Sequence, residues 1–125
     1  MTFNQNTGVR PEGYRDPHLE VDFGRAAAML DERRMVLTRK EFELLSLLVQ
    51  NAGEIVPRDA LLWRIWGYSP QIRTRTLDVH IRRLRKKLGS YSDRYIETIF
   101  GIGYRFQPFR ARQVIQDYTA IPAVA

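Results

Sequence analysis

The sequence predicts an α+β domain built from a small antiparallel sheet, three helices and a C-terminal β-hairpin. Three observations predict this fold class. Between His18 and Leu37, the segment LEVDF alternates apolar and polar residues, as half-buried strands do, and two apolar runs flank a polar turn. Three segments with apolar residues at helical spacing follow, each bounded by helix-start or helix-stop residues. Two apolar and aromatic runs joined through Gly101-Ile-Gly103 come last and predict the hairpin.

The composition indicates one folded domain outside a membrane. With 125 residues and 44% hydrophobic content, the chain is long enough to bury a core and is unlike a disordered sequence. It has no cysteine, which excludes disulfides and thiolate zinc sites and predicts a cytoplasmic protein. Its apolar runs are too short to span a membrane, and the N-terminal MTFNQNTG lacks the pattern of a signal peptide. We expect neither a cofactor nor a metal ion.

The domain is expected to cover residues 18–107. The first 17 residues are polar and predict a linker or tail, punctuated by Gly8, Pro11, Gly13 and Pro17. Residues 108–125 are predicted to be a C-terminal tail, in which the segment FRARQVIQDY is compatible with a helix although Pro108 and Pro122 bracket it.

The predicted sheet begins with a strand at LEVDF. The runs AAAML and RMVL flank the polar turn Asp31-Glu32-Arg33, which predicts a hairpin. Three consecutive alanines at 26–28 are weak strand formers, so a helix is the competing interpretation of that run.

The first helix has a clear start signal. Thr38 followed by Glu41 three residues later predicts a capping box, and Leu37 and Phe42 are spaced for a hydrophobic staple. Gly53 is predicted to close the helix, and a short strand at residues 54–56 follows.

The second helix is predicted from Pro57 to Trp66. Proline suits the first helical position, which would leave Val56 as a poor cap. Gly67 ends this helix, and a loop over residues 68–73 follows. The segment SYSDR, after the third helix, is predicted to be a polar loop.

The third helix, TRTLDVHIRRLRKKL over residues 74–88, has two different faces. At 100° per residue, one narrow apolar seam is formed by Leu77, Ile81, Leu84 and Leu88. The opposite face carries Arg75, Val79, Arg82, Arg83 and Lys86. The segment holds six basic residues and one acid, Asp78, so we expect a buried seam and a cationic outer face.

The basic charge is confined to the second half of the chain. Residues 1–71 contain nine Lys/Arg and ten Asp/Glu, whereas residues 72–125 contain eleven and four. A solvated amphipathic face is one explanation. However, the segregation of charge, together with an apolar Val79 amid arginines, favours DNA, where arginines contact guanines and phosphates and an apolar side chain meets a thymine methyl.

The C-terminal glycines favour a tight turn. A phosphate-binding loop is the weaker alternative, because such loops join a strand to a helix and this one joins two strands. Tyr104 and Phe106 are expected in the core. A basic helix followed by a glycine-containing hairpin is the layout of a winged helix.

Three runs carry a family resemblance. LTRKEFELLSLLVQNAGEIVPRDALLWRIWG, RTLDVHIRRLRKKLG and YIETIFGIGYRF, in this order, resemble the C-terminal DNA-binding domain of OmpR/PhoB-type response regulators. The resemblance covers roughly residues 18–107. It implies a winged helix-turn-helix with an additional N-terminal sheet, and a transcriptional regulator that binds tandem direct repeats in double-stranded DNA, often head to tail.

The resemblance also implies roles for individual residues. Base contacts on the recognition helix are implied for Arg75, Asp78, Val79, Arg82, Arg83 and Lys86. Phosphate contacts are implied for Arg58, Trp66, Thr76, Arg85, Thr98 and Arg105. The wing tip comprises Phe100, Gly101, Ile102 and Gly103. A contact with RNA polymerase is implied for the loop Tyr68, Ser69, Pro70, Gln71, Ile72 and Arg73. For Trp66, a place in the core with its indole N–H paired is the competing interpretation.

Two positions depart from the family pattern. Phe100 stands where the family commonly has a wing arginine for the minor groove, and with Ile102 it predicts an apolar tip that packs on a partner or on the sugar edge. Pro57 stands where the family often has a capping serine, which predicts a small cost in stability.

The receiver domain of a full response regulator does not fit within 125 residues. The chain is therefore either an effector domain whose receiver lies on the same or a longer chain, or a stand-alone regulator. A protein-interaction winged helix that uses Phe100, Ile102 and the loop 68–73 is the alternative function. An enzyme is not expected, because His18 and His80 lie apart and no nucleophile–base pair or metal-ligand spacing occurs.

Overall fold

The computed structural model describes residues 7–109. Within this range the chain forms two antiparallel sheets and four helices. The N-terminal sheet contains β1 (Val9–Arg10), β2 (Gly13–Arg15), β3 (Leu19–Asp22), β4 (Ala27–Leu30) and β5 (Arg33–Arg34). The helices are α1 (Arg39–Gln50), α2 (Arg58–Trp66), α3 (Thr76–Leu88) and α4 (Ser92–Tyr95). The second sheet contains β6 (Ile55–Pro57), β7 (Ile96–Ile99) and β8 (Gly103–Phe106). The predicted α+β winged-helix class is confirmed.

The N-terminal sheet is a meander in the order β1-β2-β3-β4-β5. It corrects the prediction of a linker over residues 1–17, because β1 and β2 lie in that segment and Tyr14 is only 2% exposed. Gly13 does not punctuate a linker but permits close strand pairing. A Cβ at this position would lie 2.0 Å from the carbonyl oxygen of Val21.

The predicted hairpin around the polar turn at Asp31 is confirmed as the antiparallel pair β4–β5, in which Leu30 pairs with Arg33, and the competing helix over the alanines is not formed. Val21 pairs with Ala28, whose small side chain faces the core and is 3% exposed. Asp31 and Glu32 make this turn with φ of 49° and 65°, in the left-handed region, where aspartate is among the enriched residue types.

The capping box of α1 is confirmed. The Glu41 N–H donates to Thr38 Oγ1 at 3.2 Å, and the Thr38 N–H donates to Glu41 Oε1 at 2.9 Å. The same Oε1 accepts a hydrogen bond from Lys87 Nζ of α3, so one buried carboxylate both caps α1 and binds α3. Burial raises the pKa of Glu41, but the hydrogen bonds from Lys87 and Thr38 outweigh it and the net pKa is lowered.

The start of α2 differs from its prediction. Pro57 is the N-cap residue rather than the first helical residue, so the predicted cap at Val56 is wrong. The reason is that Pro57 is also the last residue of β6, with φ −63° and ψ 150°, and pairs with Gly103. No side chain caps α2 at its N-terminus. At the other end Gly67 adopts φ 74° and terminates the helix as predicted.

The segment after α3 is helical, not the predicted loop. Gly89–Tyr91 forms a 3₁₀ turn that leads directly into α4. Tyr95 anchors this segment: its side chain is fully buried, and its hydroxyl donates to the carboxylate of Asp16 at 2.8 and 2.9 Å. Tertiary packing of one tyrosine therefore organises a stretch whose composition is typical of a loop.

The wing is a three-stranded sheet in the order β6-β8-β7. Gly53 donates its N–H to Phe106 O at 2.8 Å, which joins the end of α1 to β8. Tyr104 and Phe106 are 7% and 0% exposed, as expected for core residues. The single apolar core is shared by both sheets and by α1, α2 and α3.

The predicted boundary at residue 107 also needs correction. The Phe109 N–H donates to Tyr14 Oη at 3.1 Å, and the Phe109 ring centroid lies 4.9 Å from that of His18. The chain thus still packs against the N-terminal sheet at residue 109. The helix expected within FRARQVIQDY falls almost entirely outside the described residues. Between residues 7 and 109, no helix is both long and apolar enough to cross a membrane.

Candidate nucleic-acid interface

Helix α3 presents the two faces that its sequence predicts. The seam residues Leu77, Ile81, Leu84 and Leu88 are at most 2% exposed and pack in the core, with α1 and α2 as neighbouring helices. The outer residues Arg75, Asp78, Val79, Arg82, Arg83 and Lys86 are exposed. Val79 remains 39% exposed, although burying an apolar side chain is favourable. The predicted phase of the helix is confirmed.

The cations of this face lack internal partners. Arg82, Arg83 and Lys86 make no side-chain hydrogen bond or ion pair with any residue between 7 and 109. Long basic side chains whose N–H donors have no acceptor within the domain are available to bind an external anion. The face is therefore suited chemically to a polyanion.

Asp78 is held by two residues from outside α3. Its Oδ1 accepts from Arg58 Nη1 at 2.6 Å and from the Tyr104 hydroxyl at 3.1 Å. Its Oδ2 lies 3.4 Å from Arg58 Nη2. The hydrogen bond from Arg58 lowers the pKa of Asp78, and the same bond raises the pKa of Arg58. Burial, followed by the hydrogen bond to Asp78, raises the pKa of Tyr104.

Arg85 points into the protein rather than along the cationic face. Its Nη2 donates to Ile96 O at 2.9 Å and to Thr98 Oγ1 at 2.7 Å. Its guanidinium carbon lies 5.9 Å from the centroid of the Tyr104 ring. The structure thus brings two predicted phosphate-binding residues, Arg85 and Thr98, into contact with each other and joins α3 to β7.

Arg105 is also engaged within the wing. Its Nε and Nη2 each lie 2.9 Å from Glu97 Oε1, which accepts from Gln107 Nε2 as well, at 3.0 Å. The hydrogen bonds from Gln107 and then Arg105 lower the pKa of Glu97. The charge of Arg105 is therefore balanced across the sheet.

The remaining predicted phosphate contacts lie near the ends of α2 and α3. Trp66 is half-buried, and its ring meets the His80 ring edge-on with centroids 4.9 Å apart. Thr76 Oγ1 lies 2.7 Å from Thr74 Oγ1. His80 Nδ1 lies 2.8 Å from Thr76 O, so His80 links Thr76 to Trp66.

The wing tip is apolar and exposed. Phe100 is 90% exposed and Ile102 is 50% exposed. The turn is fixed by a hydrogen bond from Ile102 N–H to Ile99 O at 2.9 Å, and Gly101 adopts φ 80°. The Arg58 N–H donates to Ile102 O at 3.0 Å. The tip, Arg58 and Asp78 line one open cleft of about 250 Å³.

Two backbone hydrogen bonds fix the loop between α2 and α3, one within the loop and one to α2. The Ile72 N–H donates to Ser69 O at 3.0 Å, and the Tyr68 N–H donates to Leu62 O at 3.3 Å. Ile72 is 48% exposed, whereas Tyr68 packs partly against the core.

Sequence reasoning missed the contacts that join the site residues to one another. Arg58 and Asp78 are 20 positions apart, and Tyr104 follows after 26 more. No periodicity links such positions. The one local signal was chemical. Asp78 is a single acid on an otherwise cationic face, and a carboxylate is stabilised by a nearby cation.

Known proteins resemble this chain in sequence and in fold. Residues 32–106 match the family model described as "Transcriptional regulatory protein, C terminal". The transcriptional regulatory protein YclJ of Bacillus subtilis is 50% identical over 70 residues, which are 56% of this chain and 31% of that protein. The probable transcriptional regulator ycf27 of Galdieria sulphuraria is 38% identical over 120 residues, 93% of this chain and 45% of that protein. The chain thus spans less than half the length of these relatives.

Two solved structures illustrate the similarity of fold. The DNA-binding domain of RstA from Klebsiella pneumoniae, in complex with the RstA box, matches 78% of this chain and 99% of its own at 33% identity, with a TM-score of 0.71. The response regulator DrrB of Thermotoga maritima, an OmpR/PhoB homologue, matches 77% of this chain and 44% of its own at 36% identity, with a TM-score of 0.69.

Proposed function

We propose that this chain, which belongs to the family of DNA-binding C-terminal domains of OmpR/PhoB-type response regulators, binds double-stranded DNA. The binding is sequence-specific and takes place through α3. The family is one of transcription factors and not of enzymes. The observation that carries the proposal is the set of unpaired cations around an exposed Val79 on the outer face of α3.

The major groove accepts this face. An α-helix fits the width of the groove, arginine donates two hydrogen bonds to guanine, and an apolar side chain meets the thymine methyl. We assign guanine contacts to Arg82 and Arg83 and the methyl contact to Val79. Asp78, an acceptor, suits a base with an amino group. Arg75 and Lys86, toward the ends of the face, are placed for edges or phosphates nearby.

Phosphate contacts divide into two groups on the geometry of their side chains. Arg58 keeps N–H donors beyond those that face Asp78, and Trp66 and Thr76 lie at neighbouring helix ends, so these three are the favoured phosphate ligands. Arg85, Thr98 and Arg105 are engaged within the domain. We propose that Arg85 and Thr98 hold the wing against α3, that Arg105 joins β8 to β7 through Glu97, and that all three contact phosphates only secondarily.

The wider biological context is proposed from the relatives. We propose that the chain is the effector part of a two-component response regulator, with a receiver domain on the same or a longer chain, and that it binds tandem direct repeats as a head-to-tail dimer. The loop of residues 68–73, with its exposed Ile72, is the proposed contact with RNA polymerase. A stand-alone regulator would use the same DNA-binding surface.

A second function is favoured by one observation, the 90% exposure of Phe100 beside Ile102. An aromatic side chain left in water at the tip of a fixed turn suits a protein partner as well as the sugar edge of DNA. Retention of a protein partner that depends on Phe100, while DNA affinity does not, would support this second function.

Selection of bound sites from random duplex DNA tests the main proposal. We expect an enriched motif, with two repeats where the dimer forms, and a logarithm of affinity that falls linearly with the logarithm of salt concentration. Arg25→Ala is the matched control for Arg82→Ala, because it removes the same charge from an exposed side chain in the turn between β3 and β4. An unenriched pool, or equal losses for both variants, would contradict the proposal.

A further inference from the structure

The geometry points to Tyr104 as a positioning residue for base selection: with Arg58 it fixes the Asp78 carboxylate so that Oδ2 presents one acceptor to the amino group of a base. This inference rests on the proposed DNA-binding function of α3. It assigns a role in specificity to a wing residue that is 7% exposed and that does not itself contact DNA.

The two oxygens of Asp78 are occupied unequally. Oδ1 accepts two hydrogen bonds, at 2.6 Å from Arg58 Nη1 and at 3.1 Å from the Tyr104 hydroxyl. Oδ2 has only the distant Arg58 Nη2 at 3.4 Å, beyond the usual range for an N–H···O bond. A carboxylate oxygen has two lone pairs, so Oδ2 keeps acceptor capacity. Asp78 is 46% exposed, and this capacity is therefore accessible from outside.

The groups that hold Asp78 are themselves fixed. Tyr104 lies in the central strand of the wing sheet and pairs with Val56 on one side and Thr98 on the other. The Arg58 backbone is bound to the wing turn through Ile102 O at 3.0 Å. An aspartate on an exposed helix face would otherwise sample several rotamers. Two anchors outside α3 select one of them before DNA arrives, and such preorganisation sharpens recognition.

The chemistry then defines which bases Asp78 tolerates. An ionised carboxylate only accepts hydrogen bonds, and in the major groove cytosine N4 and adenine N6 are the donors. Guanine and the O4 of thymine offer acceptors, which an anion repels. We therefore expect an amino-bearing base, cytosine or adenine, opposite Asp78. Site selection distinguishes the two.

Tyr104→Phe tests the inference, because it removes the hydroxyl and keeps the buried ring. Tyr95→Phe is the matched control: it removes another buried hydroxyl, one that binds Asp16 in a different part of the domain. Affinities are measured for the selected duplex and for duplexes with each base pair changed in turn. Urea unfolding of each variant shows that it is folded.

For the wild type we expect replacement of the base pair opposite Asp78 to weaken binding about 5- to 150-fold, as for a specific base contact. Tyr104→Phe should reduce that ratio at least threefold, at this base pair alone. Binding to unrelated DNA and its salt dependence should not change. Asp78→Asn should shift the preferred base toward adenine, and adding Tyr104→Phe to Asp78→Ala should have no further effect on selectivity.

Two outcomes overturn the inference. One is a Tyr104→Phe profile identical to that of the wild type or of Tyr95→Phe. The other is an equal loss at every base pair, which indicates a structural role for the hydroxyl. A wild type that binds no duplex selectively instead refutes the proposed function, and the inference falls with it, so the two failures are distinguishable.

Discussion

Arg85 Nη2 donates a hydrogen bond to Thr98 Oγ1 across 2.7 Å and joins α3 to the first strand of the wing. The same nitrogen donates to Ile96 O at 2.9 Å. Arg85, in the middle of the most basic helix, thus donates hydrogen bonds to groups within the domain. The basic residues of α3 therefore form two groups: Arg85 and Lys87 bind groups within the domain, and the others lie on the outer face around Val79.

Arg85→Ala should therefore destabilise the fold, unlike Arg82→Ala. The change leaves Ile96 O without its side-chain donor in a partly buried position, and we expect a loss of about 1–3 kcal/mol in the free energy of unfolding. Arg82 is exposed without internal partners, so its removal should stay within about 0.5 kcal/mol. Urea denaturation measures both. Equal effects of the two substitutions would show that Arg85 is not a structural residue.

Arg83→Ala and Arg58→Ala should alter DNA binding in different ways. Loss of a guanine contact should relax base preference at one position by roughly 1–3 kcal/mol. Loss of Arg58 should weaken binding to all sequences and reduce the salt slope by about 1, since a phosphate contact is lost. It should in addition relax selectivity at the base opposite Asp78. Affinity measured against a panel of duplexes at three salt concentrations checks this, and indistinguishable profiles would contradict our assignment of contacts.

The local signals in the sequence were sufficient for α1 and α3. Thr38 and Glu41 form their capping box within one helical turn, and the leucines of α3 are spaced so that only one phase buries them. These features depend on near neighbours along the chain, and for that reason they could be predicted without knowledge of the fold.

The strands β1 and β2 could not be predicted in the same way. Each is only two or three residues long, and the glycine that permits their pairing, Gly13, is also typical of linkers. What distinguishes it is the backbone of Val21, eight residues away, which lies against Gly13 only in the folded sheet. The direction of Arg85 and the pairing of Asp78 with Arg58 likewise depend on elements that come together in three dimensions.

Gly103→Ala should be more destabilising than Gly101→Ala, although Gly101 has the unusual backbone angle. A Cβ at Gly103 would lie 2.0 Å from Val56 O and 2.8 Å from Pro57 Cα, so β6 and β8 would have to separate. We expect a loss of about 3 kcal/mol from this overlap. At Gly101 a Cβ would meet open space, and only the φ of 80° is unfavourable, at about 1 kcal/mol. Thermal unfolding gives the order, and the reverse order would refute this account of the wing.

The contribution of Asp78 to stability should depend on pH. Its hydrogen bond with Arg58 lowers the pKa of the folded carboxyl below the ordinary value of 3.8. A lowered folded pKa gives stability that is complete above the unfolded pKa and is lost as pH falls through the folded pKa. The pair is partly exposed, so we expect roughly 1 kcal/mol or less. The difference in stability between the wild type and Asp78→Asn should stay constant from about pH 8 to 5 and shrink below about pH 4. A difference that grows on acidification would contradict the ion pair.

The wing tip allows a gain-of-function prediction, because the Phe100 side chain is almost fully exposed. It is 90% exposed, so Phe100→Arg should change the free energy of unfolding by no more than about 0.5 kcal/mol. An arginine at this position would lie beside the cleft that also contains Arg58, and a narrow A·T-rich minor groove attracts such a side chain. We expect the slope of log affinity against log salt concentration to become steeper by about 1, with a new preference for A·T pairs beside the site bound by α3.

Phe100→Ala is the control for this prediction. It removes the ring without adding charge and should leave the slope unchanged. If Phe100→Arg also leaves the slope and the flanking preference unchanged, the tip does not face DNA, and the protein-interaction function of Phe100 and Ile102 becomes the better explanation of their exposure.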